Sequence, residues 1–338
     1  MHRLSDFDYN LPPEQIAQHP LPDRAASRLL VLDRGTGNTR HLHFGDLRTL
    51  IPAGDLLVLN TSRVIPARLH GKRDTGNAEI LLVRELADGA WLAMGHPGGK
   101  LKPGRRVTFG EDSAVEIVEV LGGGLRKVRF VGALDARATL AKYGAVPLPP
   151  YIRRPPTDAD RERYQTVYAT HDGSVAAPTA GLHFTTELLA QIRERGVAVT
   201  AIDLHVGPGT FKPVETEDLD QHTMHAEAYE ISADAAGWVN KKRGTVWAVG
   251  TTVLRALESA VDANGLVRTG VSETNLFIRP PYDFKVVTRL ITNFHLPRST
   301  LLMLVCAFGR YEPVMAAYRE AVREGYRFYS YGDAMAII

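Results

Sequence analysis

The sequence predicts an α/β protein in which a main α/β domain is interrupted by an inserted small antiparallel six-stranded β-barrel domain. Apolar runs of strand length alternate with helix-type patterns near both ends of the chain. Short alternating runs bounded by glycine, proline or aspartate turns fill residues 61–131 instead. A proline-rich stretch, residues 147–156, then returns the chain to helix and strand patterns. We therefore assign residues 1–60 and 147–338 to the main domain and residues 61–146 to the inserted barrel.

Length and composition are those of an ordinary globular chain. The 338 residues are 44% apolar and 23% charged, which is ample material for a core. A net charge of +2 is too small to indicate nucleic-acid binding by itself. The single cysteine, Cys306, excludes an intrachain disulfide framework and favours a reducing compartment. No apolar run reaches about 18 residues, so we expect no membrane-spanning segment. The N-terminus lacks the apolar core of a signal peptide, so we expect a cytoplasmic protein.

The first part of the chain supplies elements of the main domain. Leu29 to Asp33 is predicted to be a strand. Residues 44–50 favour a short helix, because Pro52 and Gly54 stop it. Asp55 to Asn60 contains an unbroken Leu-Leu-Val-Leu run, which is typical of a buried strand.

The inserted domain is predicted from six short strands, at residues 63–70, 79–86, 91–95, 105–109, 114–120 and 127–131. Tight turns separate them without a helix-length segment, which favours a small barrel. Residues 61–131 hold 12 Lys/Arg and 8 Asp/Glu, a balance of 12 − 8 = +4, so the rest of the chain sums to 2 − 4 = −2. This balance fits either a solvated barrel surface or a barrel that helps to hold an anionic polymer. The most basic run contains Lys100, Lys102, Arg105 and Arg106.

Two small-residue loops, each with a histidine, flank one helix and one strand of the main domain. The first loop, residues 178–185, contains His183. Residues 186–195 favour a helix and residues 197–204 a strand, after which a second loop begins at His205. An α/β protein builds its binding pocket from loops at the ends of its elements, so we expect the two loops to face each other across a pocket.

The rest of the main domain continues with strands and helices. Alternation places His225, Glu227 and Tyr229 on one face of a strand. The other predicted elements are a strand at residues 245–250, a helix from residue 251, a strand-rich stretch at residues 284–294, and helices at residues 299–308 and 312–324.

The strand-to-helix junction Gly250-Thr251-Thr252 is a candidate anion site. Free amides and the positive dipole at a helix N-terminus attract phosphate or carboxylate groups, and Thr251 or Thr252 is expected to cap the helix. An ordinary capped helix is the alternative. Arg255 and Glu258 are three residues apart on this helix, so a simple pair between them is the alternative to a functional role for Arg255.

Four histidines, His183, His205, His225 and His295, lie in loops or at strand ends among Gly, Pro and Thr. Each alone is more often a structural hydrogen-bonding group than a catalyst, but four in one domain favour an active-site role, because histidine titrates near neutral pH. The glycines after His205 match neither Rossmann nor P-loop spacing, so no nucleotide motif is assigned. His222 and His225 are three residues apart with Glu227 nearby, which leaves a metal site as an alternative. Their spacing matches no metal-binding motif, and we predict no metal.

Long sequence motifs at these positions resemble those of a known protein family, and the resemblance runs nearly end to end. They include Asn60-Thr61-x-Arg63-Val64-Ile65-Pro66-Ala67-Arg68, Gly173-Ser174-Val175-Ala176-Ala177-Pro178-Thr179-Ala180-Gly181-Leu182-His183-Phe184-Thr185, His205-Val206-Gly207-Pro208-Gly209-Thr210-Phe211, Thr292-Asn293-Phe294-His295-Leu296-Pro297 and Tyr326-Arg327-Phe328-Tyr329-Ser330-Tyr331-Gly332-Asp333. In these motifs the sequence resembles the S-adenosylmethionine:tRNA ribosyltransferase-isomerase family of queuosine biosynthesis.

The resemblance implies both a reaction and a fold. The ribosyl group of S-adenosylmethionine is transferred and isomerised onto 7-aminomethyl-7-deazaguanine at the tRNA wobble position, giving epoxyqueuosine-tRNA and releasing adenine and methionine. S-adenosylmethionine is then a co-substrate, with no metal and no further cofactor. The implied fold, an α/β domain interrupted by a small β-barrel, agrees with the one predicted from the residues. We expect a monomer whose partners are S-adenosylmethionine and tRNA.

This reaction suggests roles for the candidate residues. As catalytic groups we expect His183, His205 and His295 to supply acid–base or orienting functions, and Glu227 to offset the sulfonium charge. The residues expected to bind substrate are Thr179, Gly181, Gly207, Gly209, Thr210, His225, Thr251, Thr252, Arg255 and Asn293. The residues expected to contact tRNA phosphates are Lys100, Lys102, Arg105 and Arg106.

Two other function classes compete with this one. A methyltransferase would use the same donor, although the sequence lacks a glycine-rich first strand–helix turn of the Rossmann type. Release of adenine rather than S-adenosylhomocysteine distinguishes the two. A non-catalytic RNA-binding module would bind tRNA without consuming the donor.

Overall fold

A computed structural model describes residues 2–207, 214, 216–224, 226–241 and 244–338 of the chain. Within these residues the structure is mixed α/β, with a nine-stranded sheet, a seven-stranded sheet and a two-stranded pair. The strands, numbered in chain order, are β1 Arg28–Leu32, β2 Thr39–His43, β3 Leu56–Asn60, β4 Ser62–Val64, β5 Arg68–Arg73, β6 Gly76–Glu85, β7 Trp91–His96, β8 Arg106–Phe109, β9 Ser113–Val120, β10 Leu125–Gly132, β11 Gly144–Ala145, β12 His171–Ser174, β13 Ala198–Leu204, β14 Glu227–Ile231, β15 Val246–Val249, β16 Gly270–Thr274, β17 Arg289–Asn293 and β18 Ala334–Ile337. The α-helices are α1 Leu47–Leu50, α2 Ala136–Tyr143, α3 Asp158–Arg163, α4 Thr186–Glu194, α5 Ala233–Asn240, α6 Thr251–Ser259, α7 Thr300–Gly309 and α8 Tyr311–Arg323.

The nine-stranded sheet has the order β16-β14-β13-β3-β15-β17-β18-β1-β2. Its four neighbours β13, β3, β15 and β17 are parallel, so their carboxyl ends share one edge of the sheet. Because β14 runs antiparallel to β13, its first residue, Glu227, lies at this same edge. Loops at such an edge form the binding crevice of open α/β sheets.

Side-chain alternation packs the nine-stranded sheet between two helical layers. In β1, Leu30 and Leu32 belong to the core formed with α5, α6, α7 and α8, whereas Leu29 and Val31 belong to the core formed with α1 and α4. A strand that is buried on both faces has an unbroken apolar run, which is why β1 and β3 could be predicted from the sequence.

Helices α7 and α8 are core helices. Cys306 of α7 is fully buried in the larger core, and burial raises the pKa of its thiol. Among the described residues no single helix is long and apolar enough to cross a membrane, and α7 with α8, bent by 117°, meets the length and composition test only as a pair.

The seven-stranded sheet has the order β11-β5-β6-β7-β10-β9-β8, and all its neighbouring strands are antiparallel. Five of these strands fall at positions predicted from the sequence, and β5 overlaps the end of the sixth predicted strand. An additional pairing of Lys72 with Thr108 joins β5 to β8. The sheet has its own apolar core, to which Val107, Phe109 and Val128 belong.

Two details of this region differ from the sequence prediction. The predicted strand at residues 63–70 is split: Ser62–Val64 pairs with β12, and β5 begins only at Arg68. Pro66 lies between them and has no N–H for a sheet hydrogen bond, which explains the interruption. Helix α2 was not anticipated; its N-cap is Asp135, whose carboxylate accepts the N–H of Ala138 at 2.7 Å.

Candidate active site

A cleft of about 1200 Å³ opens between the carboxyl edge of the nine-stranded sheet and the antiparallel sheet. His205, Gly207 and Glu227 line it from the nine-stranded side, because β13 ends just before His205 and β14 begins at Glu227. The other side is lined by residues of β6, β7, β10 and α2. The volume exceeds that of a typical pocket for one small ligand, so the cleft has room for a nucleoside donor and a second group.

His205 presents an imidazole to this cleft. Its backbone N–H donates to the carbonyl of Ala228 at 3.0 Å, and its ring lies against Gly173, where an added Cβ would be 2.6 Å from Cε1. The Nδ1 atom is buried and has no hydrogen-bond partner among the described residues. Burial lowers the pKa of His205, with Asp203 opposing the shift, so the ring is neutral at pH 7 and can accept a proton.

Glu227 lies beside His205 in the cleft lining and forms a buried ion pair with Arg255 of α6. Its Oε1 also accepts the N–H of Gly207 at 3.2 Å. Burial lowers the pKa of Arg255 to about 10, so the guanidinium remains charged at neutral pH. The pair has no net charge, and Glu227 therefore attracts a cation less strongly than an isolated carboxylate would.

His183 lies elsewhere, buried at the end of the 3₁₀-helix Thr179–His183, and does not belong to the described lining of the cleft. Its Nδ1 is 2.9 Å from Ser27 Oγ and its Nε2 is 3.1 Å from Asn293 Nδ2. The ring stacks on Phe44 with 4.9 Å between centroids. Burial lowers the pKa of His183 to about 3.

Asn293 determines which nitrogen of His183 carries the proton. Its Nδ2 also lies 3.1 Å from the carbonyl oxygen of Tyr329, which can only accept, so Nδ2 is the donating atom. His183 Nε2 therefore accepts from Asn293, and Nδ1–H donates to Ser27. Both ring nitrogens are thus occupied, which is the arrangement of a structural histidine, the alternative that the sequence left open.

His295 is also a buried histidine outside the described cleft lining. Its Nε2 is 2.8 Å from Thr292 Oγ1, and its backbone N–H donates to the Tyr318 hydroxyl at 3.2 Å. Burial lowers the pKa of His295 to about 3. The structure therefore places His205 with Glu227, and His183 with Asn293, in two separate groups.

The N-terminus of α6 lies near the His183 group. The predicted threonine cap is wrong: α6 begins at Thr251, and its N-cap is Gly250, whose φ of 96° favours glycine. Thr251 and Thr252 are both buried. A Cβ added to Gly250 would lie 3.9 Å from the Cβ of Ala180, so this helix end faces the 3₁₀-helix that contains His183.

Thr179 and Gly181 belong to that same 3₁₀-helix. Gly181 lies so close to the Tyr168 hydroxyl that a side chain at position 181 would overlap it. The Tyr168 hydroxyl is buried without a hydrogen-bond partner among the described residues. Gly181 is therefore required by close packing in this group, and neither it nor Thr179 belongs to the described lining of the cleft.

The alternative pairing of Arg255 with Glu258 does not occur. Arg255 reaches Glu227 instead, and Glu258 accepts backbone N–H groups of residues 285–287 at 2.8, 3.0 and 2.9 Å. A pair three residues apart on a helix stabilises it by only about 0.2–0.5 kcal/mol, so buried partners from distant parts of the chain prevail.

Three predicted substrate-binding residues, Gly209, Thr210 and His225, lie outside the residues that the structure describes. Within the described ranges, no group of three or more His, Cys, Asp or Glu is arranged to hold a metal ion.

The four predicted tRNA contacts are all exposed on the antiparallel sheet and the loop before β8. Arg105 pairs with Asp74 at 3.0 Å and Arg106 pairs with Glu116 at 2.8 Å. Lys100 and Lys102 form no ion pair with the residues that the structure describes. The two lysines are thus the less neutralised half of the predicted contact surface.

Sequence reasoning missed the aromatic side chains of the cleft, Trp91 and Phe130. Both were assigned only as residues of predicted strands. The available signal was an aromatic residue near a strand end in a basic domain, but a strand aromatic is usually part of a core. Gly173, which supports the ring of His205, was present only as part of a longer motif.

Comparison with known proteins places this architecture in a family. The model of a family described as "Queuosine biosynthesis protein" matches residues 4–337. The chain belongs to this family. The match includes both sheets and the cleft between them, so the whole architecture lies within the span of the queuosine biosynthesis family.

Individual relatives are similar over their full length. The chain is 50% identical to S-adenosylmethionine:tRNA ribosyltransferase-isomerase of Syntrophomonas wolfei, covering 100% of this chain and 98% of the relative. It is 52% identical to the protein of the same name from Citrifermentans bemidjiense, covering 99% of each. A solved structure, S-adenosylmethionine tRNA ribosyltransferase from Thermotoga maritima, is 38% identical with a TM-score of 0.57, covering 99% of this chain and 100% of that one.

Proposed function

We propose that this chain is an S-adenosylmethionine:tRNA ribosyltransferase-isomerase whose reaction takes place in the cleft between the two sheets. The observation that carries the activity is full-length similarity, since relatives of that name are 50% and 52% identical over at least 99% of the chain. At least 98% of each relative is covered in return, so the whole length of the named enzymes has a counterpart here.

The reaction transfers and isomerises the ribosyl group of S-adenosylmethionine onto 7-aminomethyl-7-deazaguanine at the wobble position of tRNA. Its products are epoxyqueuosine-tRNA, adenine and methionine. S-adenosylmethionine and tRNA are the substrates, and we propose that the enzyme uses no metal and no further cofactor. Because tRNA is the substrate, we assign the enzyme to the cytoplasm, and we propose that it acts as a monomer.

His205 is our candidate for the general base. The reaction needs a group that removes a proton made acidic by the sulfonium, or one that deprotonates the attacking amine. A neutral imidazole in the cleft wall suits this task. Gly173 supports the ring from behind, so its orientation is set before substrate arrives.

Glu227 stays our candidate partner for the sulfonium. The Arg255 guanidinium and the Gly207 N–H fix its carboxylate in one orientation at the cleft wall. In this orientation the sulfonium meets the carboxylate, which is the negative end of the Glu227–Arg255 pair. Arg255 and Gly207 contribute mainly by fixing the position of that carboxylate.

The remaining predicted site residues form the second group, around His183. We propose that His183, His295 and Asn293 hold the carboxyl edge of the sheet in place, together with Thr179, Gly181, Thr251 and Thr252. Two occupied ring nitrogens in His183, one in His295 and the burial of both rings support this assignment.

We further propose that residues 61–146 form an inserted barrel domain, with residues 1–60 and 147–338 as the catalytic domain. Strands β5 to β11 pair only with one another among the described strands, and the Lys72–Thr108 pairing brings the first and last of six strands together. Lys100, Lys102, Arg105 and Arg106 on this domain are our candidates for contacts with tRNA phosphates.

The decisive experiment measures adenine release with tRNA carrying the modified base. Wild-type protein should release adenine and methionine, whereas His205→Ala should lower turnover by roughly 10²–10⁴-fold, the usual contribution of general acid–base catalysis. His19→Ala, at an exposed position outside the described cleft lining, is the matched control. Production of S-adenosylhomocysteine would indicate a methyltransferase, and tRNA binding without donor consumption would indicate a non-catalytic module.

A further inference from the structure

The side of the cleft formed by the antiparallel sheet carries two aromatic side chains among apolar and charged ones. Trp91 of β7 and Phe130 of β10 both line the cleft and both pack partly against the core of that sheet. The opposite side carries the polar groups His205, Gly207 and Glu227. A ligand in this cleft therefore meets aromatic rings on one side and the polar groups of His205 and Glu227 on the other.

Strand register places the two aromatic residues on one face. Trp91 is paired directly with Val128, and Phe130 follows Val128 by two residues on the same strand. Residues two apart on a strand share a face, and diagonal neighbours across a strand pair are within reach of aromatic side chains. Val128, the residue that connects the two aromatic positions, is fully buried. Trp91 and Phe130 therefore lie on packed strands and not on a loop.

Trp91 has a second unusual feature. Its indole Nε1 is buried and has no hydrogen-bond partner among the described residues, although a buried indole N–H usually has one. A large side chain that lines a cleft without using its polar atom contributes mainly its ring face. That favours stacking as its function over hydrogen bonding.

Cationic side chains accompany the aromatic pair. Arg129 and Arg137 line the same cleft, as do the acidic Glu85 and Asp135. Arg129 lies 3.5 Å from Asp88, and Arg137 forms no ion pair with the residues that the structure describes. Aromatic faces beside basic side chains are the combination that proteins use for single-stranded or extruded nucleotides.

We propose that Trp91 and Phe130 form a stacking wall for a purine-type nucleobase. This inference rests on the proposed function, which brings two such bases to the cleft: the adenine of S-adenosylmethionine and the 7-deazaguanine of tRNA. A base extruded from a tRNA loop, or the adenine of the donor, stacks on the wall while His205 acts on the opposite side. The wall is thus a binding element for the known reaction and not a catalytic one.

Tryptophan fluorescence gives a direct test, because the chain has three tryptophans. Trp247 is buried with its Nε1 donating to Asp55, and Trp238 is exposed outside the described cleft lining. In a Trp238→Phe background, emission therefore comes from Trp91 and the buried Trp247. The probes are S-adenosylmethionine, S-adenosylhomocysteine and an anticodon stem-loop with the modified base.

Stacking on Trp91 should quench emission in the Trp238→Phe protein, and the quenching should disappear when Trp91→Phe is added. Quenching by both S-adenosylmethionine and S-adenosylhomocysteine assigns the wall to the donor adenine, and quenching by the stem-loop assigns it to the tRNA base. Quenching by S-adenosylmethionine alone overturns the proposal. The two compounds share adenine and differ in the sulfonium charge, so the sulfonium would then be the group on the ring.

Kinetics supply the second measurement. Trp91→Ala should raise KM for the stacked substrate roughly 5- to 100-fold, and Trp91→Phe should restore most of this loss. Trp238→Ala should leave KM unchanged. The stacking wall is refuted if no probe quenches Trp91 and Trp91→Ala has a normal KM for both substrates. The proposed function still stands in that case, provided that the wild-type protein releases adenine. Failure of the wild-type protein to release adenine refutes the function itself.

Discussion

The buried histidines His183 and His295 predict a loss of stability between pH 6.5 and pH 5. Burial lowers the pKa of each to about 3, from an ordinary value of 6.5. Below pH 6.5 the unfolded chain therefore binds two protons that the folded protein does not bind. Because the folded pKa is the lower one, this stability is complete above pH 6.5 and is lost progressively as the pH falls towards 3.

The size of the effect follows from these pKa values. Each histidine removes about 1.4 kcal/mol of unfolding free energy per pH unit below pH 6.5. Between neutral pH and pH 5 this amounts to about 2 kcal/mol for each residue and about 4 kcal/mol for both. His205, whose pKa is also lowered by burial, acts in the same direction. Asp160 acts at lower pH, because its pKa lies below the ordinary value. Burial alone would raise this pKa, but hydrogen bonds from Arg154 and Thr157 lower it by more.

Urea unfolding across this pH range tests the prediction. His295→Gln keeps a polar group near Thr292 but removes the titration, so its stability should fall less steeply with acidification, by about 1.4 kcal/mol per pH unit. His19→Gln, at an exposed position, should keep the wild-type slope. Equal slopes for wild-type protein and His295→Gln, or a stability that does not change down to pH 5, would refute the reasoning.

Two further predictions concern charge. Arg255→Met removes the positive charge beside the buried carboxylate of Glu227 and should destabilise the protein by about 3–5 kcal/mol in urea unfolding, with much of the loss recovered when Glu227→Gln is added. Arg298→Met, which breaks a surface pair, should cost about 1 kcal/mol or less. Replacing Lys100 and Lys102 by Ala should weaken tRNA binding and lower the slope of log affinity against log salt by about 2; an unchanged slope in a binding titration would place the tRNA surface elsewhere.

Most of the fold could be predicted from local pattern. The unbroken apolar run of β3 and the short alternating runs of β6 to β10 have the periods of buried and half-buried strands. Element ends were less predictable where one residue changes the backbone. Pro66 interrupts a strand, and Gly250 caps α6 because it can adopt a positive φ.

The site was predictable as a list of residues but not as a geometry. His183 and His205 have similar sequence surroundings, yet one is enclosed by Ser27 and Asn293 and the other lines the cleft. The partners of His183 are 156 and 110 residues away in sequence, so no local pattern announces them. Trp91 was missed because its strand pattern gives no sign of a cleft. Only the position of the nine-stranded sheet opposite it makes Trp91 part of the cleft lining.

The contrast between the two histidines yields a final prediction. His183→Ala removes two buried hydrogen bonds and an aromatic contact, so it should lower the thermal midpoint and reduce turnover through the packing of the α6 N-terminus. His183→Asn should recover part of both. His205→Ala should reduce turnover by a larger factor while changing the midpoint little, because its ring is half-buried and Nδ1 has no hydrogen bond within the described residues to lose. Adenine release and thermal unfolding, measured on the same preparations, separate the two cases. A His183→Ala protein with wild-type stability and lost turnover would return His183 to direct catalysis and contradict the structural role assigned to it.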